Sequence, residues 1–402
     1  MASRLSWTML VVAVAVSVGC DTEAQFKLNS VYLLKQQRDT KQDLEARKTE
    51  LADALTGMFG TPDEPLVPSL GDLDLKTIMD PYKLQMSAGP VHSDETGRAY
   101  GLYREHCAHC HGVTGDGAGP TAAFLNPYPR DYRMGIFKFK STPVGQRPTH
   151  DDLRRIVLEG IPGTAMPSFK VLPENEVESL IHYVRYLSIR GELERSLMNY
   201  AATELDTDTP LVRLDAADEQ AKASDIELLK SLAAEVAQKW VDAESMATEV
   251  PPPGHNLPLE EAIAKGKELF YGTVANCVKC HGESALGDGQ TNDYDVWTKE
   301  LEPANPDALA AFLDAGAMAP RNIRPRNLRQ GAYRGGRRPV DLYWRIRNGI
   351  EGTPMPAATM QPTEKGLTSD DLWCLIEYVR SLPYESISKP AMPEASLPRE
   401  RL

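Results

Sequence analysis

Four of the chain's six cysteines stand in two Cys-x-x-Cys pairs, and each pair runs straight into histidine: Cys107-Ala108-His109-Cys110-His111 and Cys277-Val278-Lys279-Cys280-His281. Two thiols one helical turn apart can each close a thioether with one vinyl group of a porphyrin. The histidine that follows then lies under the iron and offers it a nitrogen, so the spacing reads as c-type heme attachment. Zinc needs four ligands, usually from two neighbouring pairs, and here the pairs lie 170 residues apart. A redox-active dithiol is the other rival, but two copies with His after each favour heme. The expected cofactors are two covalently bound c-type hemes, held by Cys107, Cys110 and His111 and by Cys277, Cys280 and His281.

The pairs belong to a tandem repeat, the feature that decides architecture. Gly115-Asp116-Gly117 answers to Gly287-Asp288-Gly289, and Pro129-Arg130-Asp131-Tyr132-Arg133 to Pro325-Arg326-Asn327-Leu328-Arg329. Gly160-Ile161-Pro162-Gly163-Thr164-Ala165-Met166-Pro167 answers to Gly349-Ile350-Glu351-Gly352-Thr353-Pro354-Met355-Pro356, and Leu180–Arg185 to Leu375–Arg380. The matching loops nominate Met166 and Met355 as second axial ligands, with Met318 and Met360 as competitors in the second repeat. A thioether opposite imidazole favours reduced iron and fills its coordination sphere. Such a site carries electrons and excludes small molecules from the metal. His92 and His150 are fallback ligands, and His106, His182 and His255 read as surface groups. Arg130 and Arg326 share one slot and are the chosen donors to heme propionates, which want bidentate partners. The competing reading of the arginines from Arg321 to Arg338 is a solvated basic face that docks an acidic redox protein.

On these motifs the chain resembles class I c-type cytochromes twice over, across roughly residues 93–190 and 257–385. The resemblance implies compact helical domains whose first and last helices cross. It also implies a proline carbonyl, after the attachment site, that accepts the proximal His N–H. Gly119-Pro120 fits in the first repeat. The second lacks that pair and carries an insertion to about Asp314, so Pro320 or Pro325 takes the role there.

The elements that must position these groups are helices. Val177, Leu180, Ile181, Val184 and Leu187 recur at helical spacing, as do Leu372, Leu375, Ile376, Val379 and Leu382. Thr368 with Asp371 marks the start of the second of these helices. Helices containing Tyr100 and Tyr103, and Ile263, Leu269 and Phe270, lead into the cysteines. No stretch keeps period-two alternation. The expected fold is all-α: two tandem cytochrome c-like helical domains, 93–196 and 257–386, joined by a helical linker. That linker, 197–256, is acidic, with 4 basic and 12 acidic residues over 197–250. Its helix is opened by Ser224 and Glu227 as a capping box, and it packs on one of the domains. Residues 21–92 form a helical arm or spacer, with an exposed helix over 21–60, and 387–402 a C-terminal tail. Cys374 reads as an inert thiol on a helix.

Arg4, the apolar run Met9–Val18 and Ser17-Val18-Gly19-Cys20 read as a signal peptide over 1–20. The small residues before Cys20 resemble a lipobox, which implies lipid on that thiol and an extracytoplasmic, periplasmic-side, membrane-anchored protein; a plain secretory signal or an uncleaved partial anchor is the alternative. The 402 residues carry a net charge of -13, which argues against nucleic acid. A mean hydropathy of -0.38 excludes a multi-span membrane protein. The expected function is an electron-transfer diheme cytochrome c without substrate chemistry. Its partners are redox proteins: a respiratory oxidase, a quinol-oxidising complex or a dehydrogenase. The alternatives are a diheme peroxidase-type oxidoreductase with one open heme site, and a fixed cytochrome subunit of a larger membrane redox complex.

Overall fold

The computed structural model describes residues 23–206, 209–213, 218–254, 256–294, 306–363 and 366–384. The signal segment with Cys20, His255 and the tail 387–402 lie outside the described residues. The fold is all-α, and the one sheet among the described residues is the two-residue hairpin of His92–Ser93 and Ala99–Tyr100. No helix among the described residues is long and apolar enough to cross a membrane. The helices are α1 (Ser30–Thr40), α2 (Arg47–Phe59), α3 (Pro81–Ser87), α4 (Leu102–His106), α5 (Ala108–His111), α6 (His150–Glu159) and α7 (Glu174–Thr203). They continue as α8 (Glu219–Val241), α9 (Leu259–Tyr271), α10 (Val278–His281), α11 (Pro306–Asp314), α12 (Pro339–Asn348) and α13 (Ser369–Ser381).

Two separate apolar cores stand behind the two cysteine motifs. The second is built by α9 crossing α13, and the stripe Leu372, Leu375, Ile376, Val379 and Leu382 is buried there as its spacing predicts. Thr368 and Asp371 make the reciprocal capping box that starts α13. Cys374 is fully buried at the same crossing.

The first core is larger because α7 runs 30 residues and is buried on nearly every side. The stripe Val177–Leu187 covers one face. Tyr186, Ile189, Leu193 and Leu197 occupy the others and need cover of their own. Residues 21–60 supply it. They form two helices rather than one exposed helix, and Leu33, Leu44, Leu51, Leu55 and Phe59 are buried against α7. The linker helix α8 also packs on this core through Leu229, Ala233, Val236 and Trp240. It begins at Asp218, whose carboxylate accepts from the backbone N–H groups of Gln220 and Ala221, and not at Ser224. Asp225 is drawn instead into a fork with Arg213. Tyr100 lies in the hairpin, so the helix before Cys107 is only the five residues of α4. Packing on the start of α7 is shared between α4, through Tyr103 on Tyr183, and α3, through Met86 and Ser179.

His182 is not a surface group. It is 3% exposed, and its Nδ1 accepts the Asp80 backbone N–H at 3.0 Å. Burial first, and then the cations Lys83 and Arg185, push its pKa down to about 3. Unfolded, the ring binds a proton near pH 6.5; folded, it does not. The unfolded state therefore holds more protons between about pH 6.5 and 3, and the stability of the first domain is lost as pH falls through that window. His182→Gln is expected to flatten the acid limb of this domain's unfolding free energy against pH. A slope unchanged from wild type would contradict the assignment.

The two domains share a seam. The Arg321 guanidinium donates to the carbonyls of Leu125 and Ala123, at 2.5 and 2.8 Å, and lies over the Tyr128 ring. The Tyr128 hydroxyl donates back to the Ala319 carbonyl. Further along, Asn348 donates to the Ser141 carbonyl at 2.9 Å, and Lys140 pairs with Glu351 at 2.7 Å with both side chains largely buried.

Candidate cofactor sites

Each cysteine pair sits on a single helical turn, α5 or α10, closed by a carbonyl of the Cys-x-x-Cys segment accepting a glycine N–H: Gly112 N to Ala108 O and Gly282 N to Val278 O, both 2.8 Å. The turn puts both thiols and the histidine on one short element. Burial pushes the Cys107 thiol up to about 12 and the Cys277 thiol to about 11. A redox-active dithiol needs an accessible thiolate, and this environment opposes one. A neutral, apolar thioether suits it.

The two histidines are fixed in the same way. His111 Nδ1 bonds the Arg130 carbonyl at 3.1 Å, and His281 Nδ1 bonds the Arg326 carbonyl at 3.2 Å. A carbonyl can only accept, so Nδ1 carries the proton and Nε2 keeps its lone pair for a metal. Desolvation pushes His111 down to about 4 and His281 down as well, which keeps both rings neutral. The accepting carbonyl belongs to the Pro-Arg slot, so the expected partners Pro120, Pro320 and Pro325 are corrected. The slot is pinned to the glycine loop behind the motif. Tyr132 N donates to Gly115 O and Leu328 N to Ala285 O, while Gly117 N and Gly287 N donate to the carbonyls of His111 and His281. Gly119 is occupied with the attachment turn, its N–H on the Cys110 carbonyl. The second repeat reaches the same arrangement across 45 residues where the first needs 19.

The methionine loops are also twins. Ile161 N donates to Met166 O at 3.1 Å, Thr164 Oγ1 to Ile161 O at 2.8 Å, and Met166 N to Thr164 Oγ1 at 3.1 Å. Ile350, Thr353 and Met355 repeat the three bonds at 3.1, 2.7 and 3.2 Å. Both methionines are half-buried. The fallback histidines are engaged elsewhere: His150 Nε2 meets Glu178 at 3.0 Å, and His92 stacks on Tyr100.

The Arg326 guanidinium donates to the Ala332 carbonyl and Gln330. Arg133 forks onto Asp131 and Arg338 onto Asp341. Among the arginines of Arg321–Arg338, only Arg324, Arg337 and Arg338 are exposed, which thins the basic face the sequence suggested. One further contributor is Tyr132, whose ring stacks on His111 at 4.7 Å between centroids. Its place in the Pro-Arg-Asp-Tyr-Arg block signalled it, although the second repeat has Leu328 there and leaves Phe270 near His281.

Residues 94–184 match the family described as "Cytochrome C oxidase, cbb3-type, subunit III". Residues 263–383 match "Cytochrome c". Two cytochrome c-type domains stand in tandem in this chain. They imply heme as the cofactor, and their order supports a tandem c-type cytochrome. No curated protein matches it. Among solved structures, a chain of the "reducing HAO-like protein complex" of Kuenenia stuttgartiensis is similar at 24% identity and a TM-score of 0.45, covering 72% of this chain and 97% of that one.

Proposed function

We propose that this tandem cytochrome binds two hemes covalently, one at Cys107, Cys110 and His111 and one at Cys277, Cys280 and His281. Met166 and Met355 would supply the second ligand to each iron. A heme so held supplies a one-electron iron couple. The protein's own part is to pin each proximal imidazole through Nδ1, to keep it neutral, and to close the far side with a thioether in a loop braced by threonine. The twin methionine loops are the observation that carries this reading, because a peroxidase-type site needs one position open and the two repeats are built alike.

In this reading the protein is an electron carrier on the outer side of a bacterial membrane, tethered by lipid on Cys20. It exchanges electrons with a respiratory oxidase, a quinol-oxidising complex or a dehydrogenase. Cytochrome c-type domains and the acidic surface fit a carrier that docks through charge.

The test is a redox titration of wild type, Met166→Ala and Met355→Ala, followed by optical spectroscopy. Each substitution is expected to lower the midpoint of its own site the more and to abolish one iron–sulfur charge-transfer band, leaving the band of the other heme in place. Two unchanged midpoints would assign the axial sulfur elsewhere. Rapid cyanide binding by one ferric site of the wild type would favour the peroxidase-type reading.

A further inference from the structure

Two guanidinium groups of the second domain converge on one residue of the first. Arg334 Nη2 donates to the Gly163 carbonyl at 3.4 Å. Arg326 Nη2 lies 2.8 Å from the place a β-carbon on Gly163 would occupy, and Gly163 has φ +75°, so the close approach depends on glycine. Gly163 belongs to the loop that ends in Met166. Arg326, through its carbonyl, holds His281. The pair therefore touches the proximal side of the second site and the methionine loop of the first at once.

The charges there do not close. Neither arginine is in an ion pair with a carboxylate among the described residues. Arg334 is half-buried, its Nε is buried without a partner, and Arg326 stands beside it as a second cation. Two desolvated like charges side by side are costly unless an anion joins them. The seam is reciprocal: Glu351, in the loop that ends in Met355, is held by Lys140 and by the Gly145 backbone N–H at 3.1 Å, both from the first domain. Each methionine loop is thus braced by the opposite domain.

We propose that Arg334, with Arg326, binds a propionate carboxylate of the heme seated on His281, and that its hold on Gly163 makes the two heme sites one electrostatic unit whose midpoints move together. This rests on the two-heme reading above. The removal of a positive charge at the seam favours oxidised, more positive iron on both sides. The second site, whose propionate the pair binds, shifts more.

The experiment is potentiometry of the full chain with heme counted per polypeptide, on wild type, Arg334→Gln, Arg334→Lys and Arg337→Gln. Arg334→Gln is expected to shift the redox equilibrium of the His281 site about tenfold toward oxidised iron, about 59 mV for a one-electron couple. The His111 site is expected to shift the same way by a smaller factor. Arg334→Lys keeps the charge but not the fork, and is expected to recover part of both shifts. Arg337→Gln removes an exposed, screened charge from the same stretch and is expected to shift neither site by as much as twofold. Both midpoints unmoved in Arg334→Gln, or a shift confined to one site, would overturn the inference. A wild type without two hemes would overturn the reading beneath it instead, so the two failures are distinguishable.

Discussion

Cys277→Ala with Cys280→Ala in one chain is expected to leave a single covalently bound porphyrin, on the first domain. The covalent links on α10 vanish together, and His281 alone cannot hold a macrocycle through denaturation. Cys374 cannot stand in, because it is fully buried in the α9–α13 crossing. The reciprocal pair, Cys107→Ala with Cys110→Ala, is expected to give the mirror result. Intact mass under denaturing conditions and heme staining read the outcome directly: two porphyrins per wild-type chain, one in each double variant. A zinc site or a reactive dithiol would leave the wild-type mass free of porphyrin. The first domain's unfolding transition is expected to survive the loss at α10, since the two apolar cores share no buried residue. Two porphyrins persisting in either double variant would defeat the attachment assignment.

What could be read from the chain depended on the range of the contact. The attachment motifs, the twin methionine loops and the capping box at Thr368 are local, and their chemistry is carried by neighbours in sequence. The stripe on α13 was equally plain, since its partner face is a single core. The stripe on α7 was half the truth. Tyr186, Ile189 and Leu193 sit off it, and only a further layer, α1 and α2, explains why they are apolar. The same blindness put His182 on the surface, when the Asp80 N–H that occupies its ring lies 102 residues away. The acceptor for the proximal histidine was misplaced because it is a backbone carbonyl, which no side-chain type betrays. The seam contact between Arg334 and Gly163 spans 171 residues, and a charge alone could not show which loop it meets.

The same glycine-to-alanine change is expected to have opposite signs at two helices. Gly266 lies in α9 where it crosses α13. A β-carbon there would sit 2.0 Å from the Cys374 carbonyl oxygen and 2.8 Å from the Tyr378 β-carbon. Backbone cannot yield as a side-chain tip can, so the helices must part. Alanine recovers about 1 kcal/mol of helix propensity, but overpacking of a closed core costs roughly 1–3 kcal/mol or more, and the contact here is with main chain. Gly266→Ala is therefore expected to destabilise the second domain by about 2 kcal/mol, and Gly266→Leu to prevent its folding. Gly57, exposed in α2, meets nothing within 4 Å, so Gly57→Ala is expected to stabilise the first domain by about 1 kcal/mol through propensity and a less flexible unfolded chain. Denaturant unfolding followed by far-ultraviolet dichroism measures both. The consequence reaches the cofactor, because α9 feeds directly into the turn that carries Cys277. If α13 drifts away, Phe270, which packs on Tyr378 and lies near His281, loses its support. The charge-transfer band of the second site is then expected to fade before the helices melt, while that of the first persists. A Gly266→Ala chain as stable as wild type would mean that the crossing is looser than these distances require.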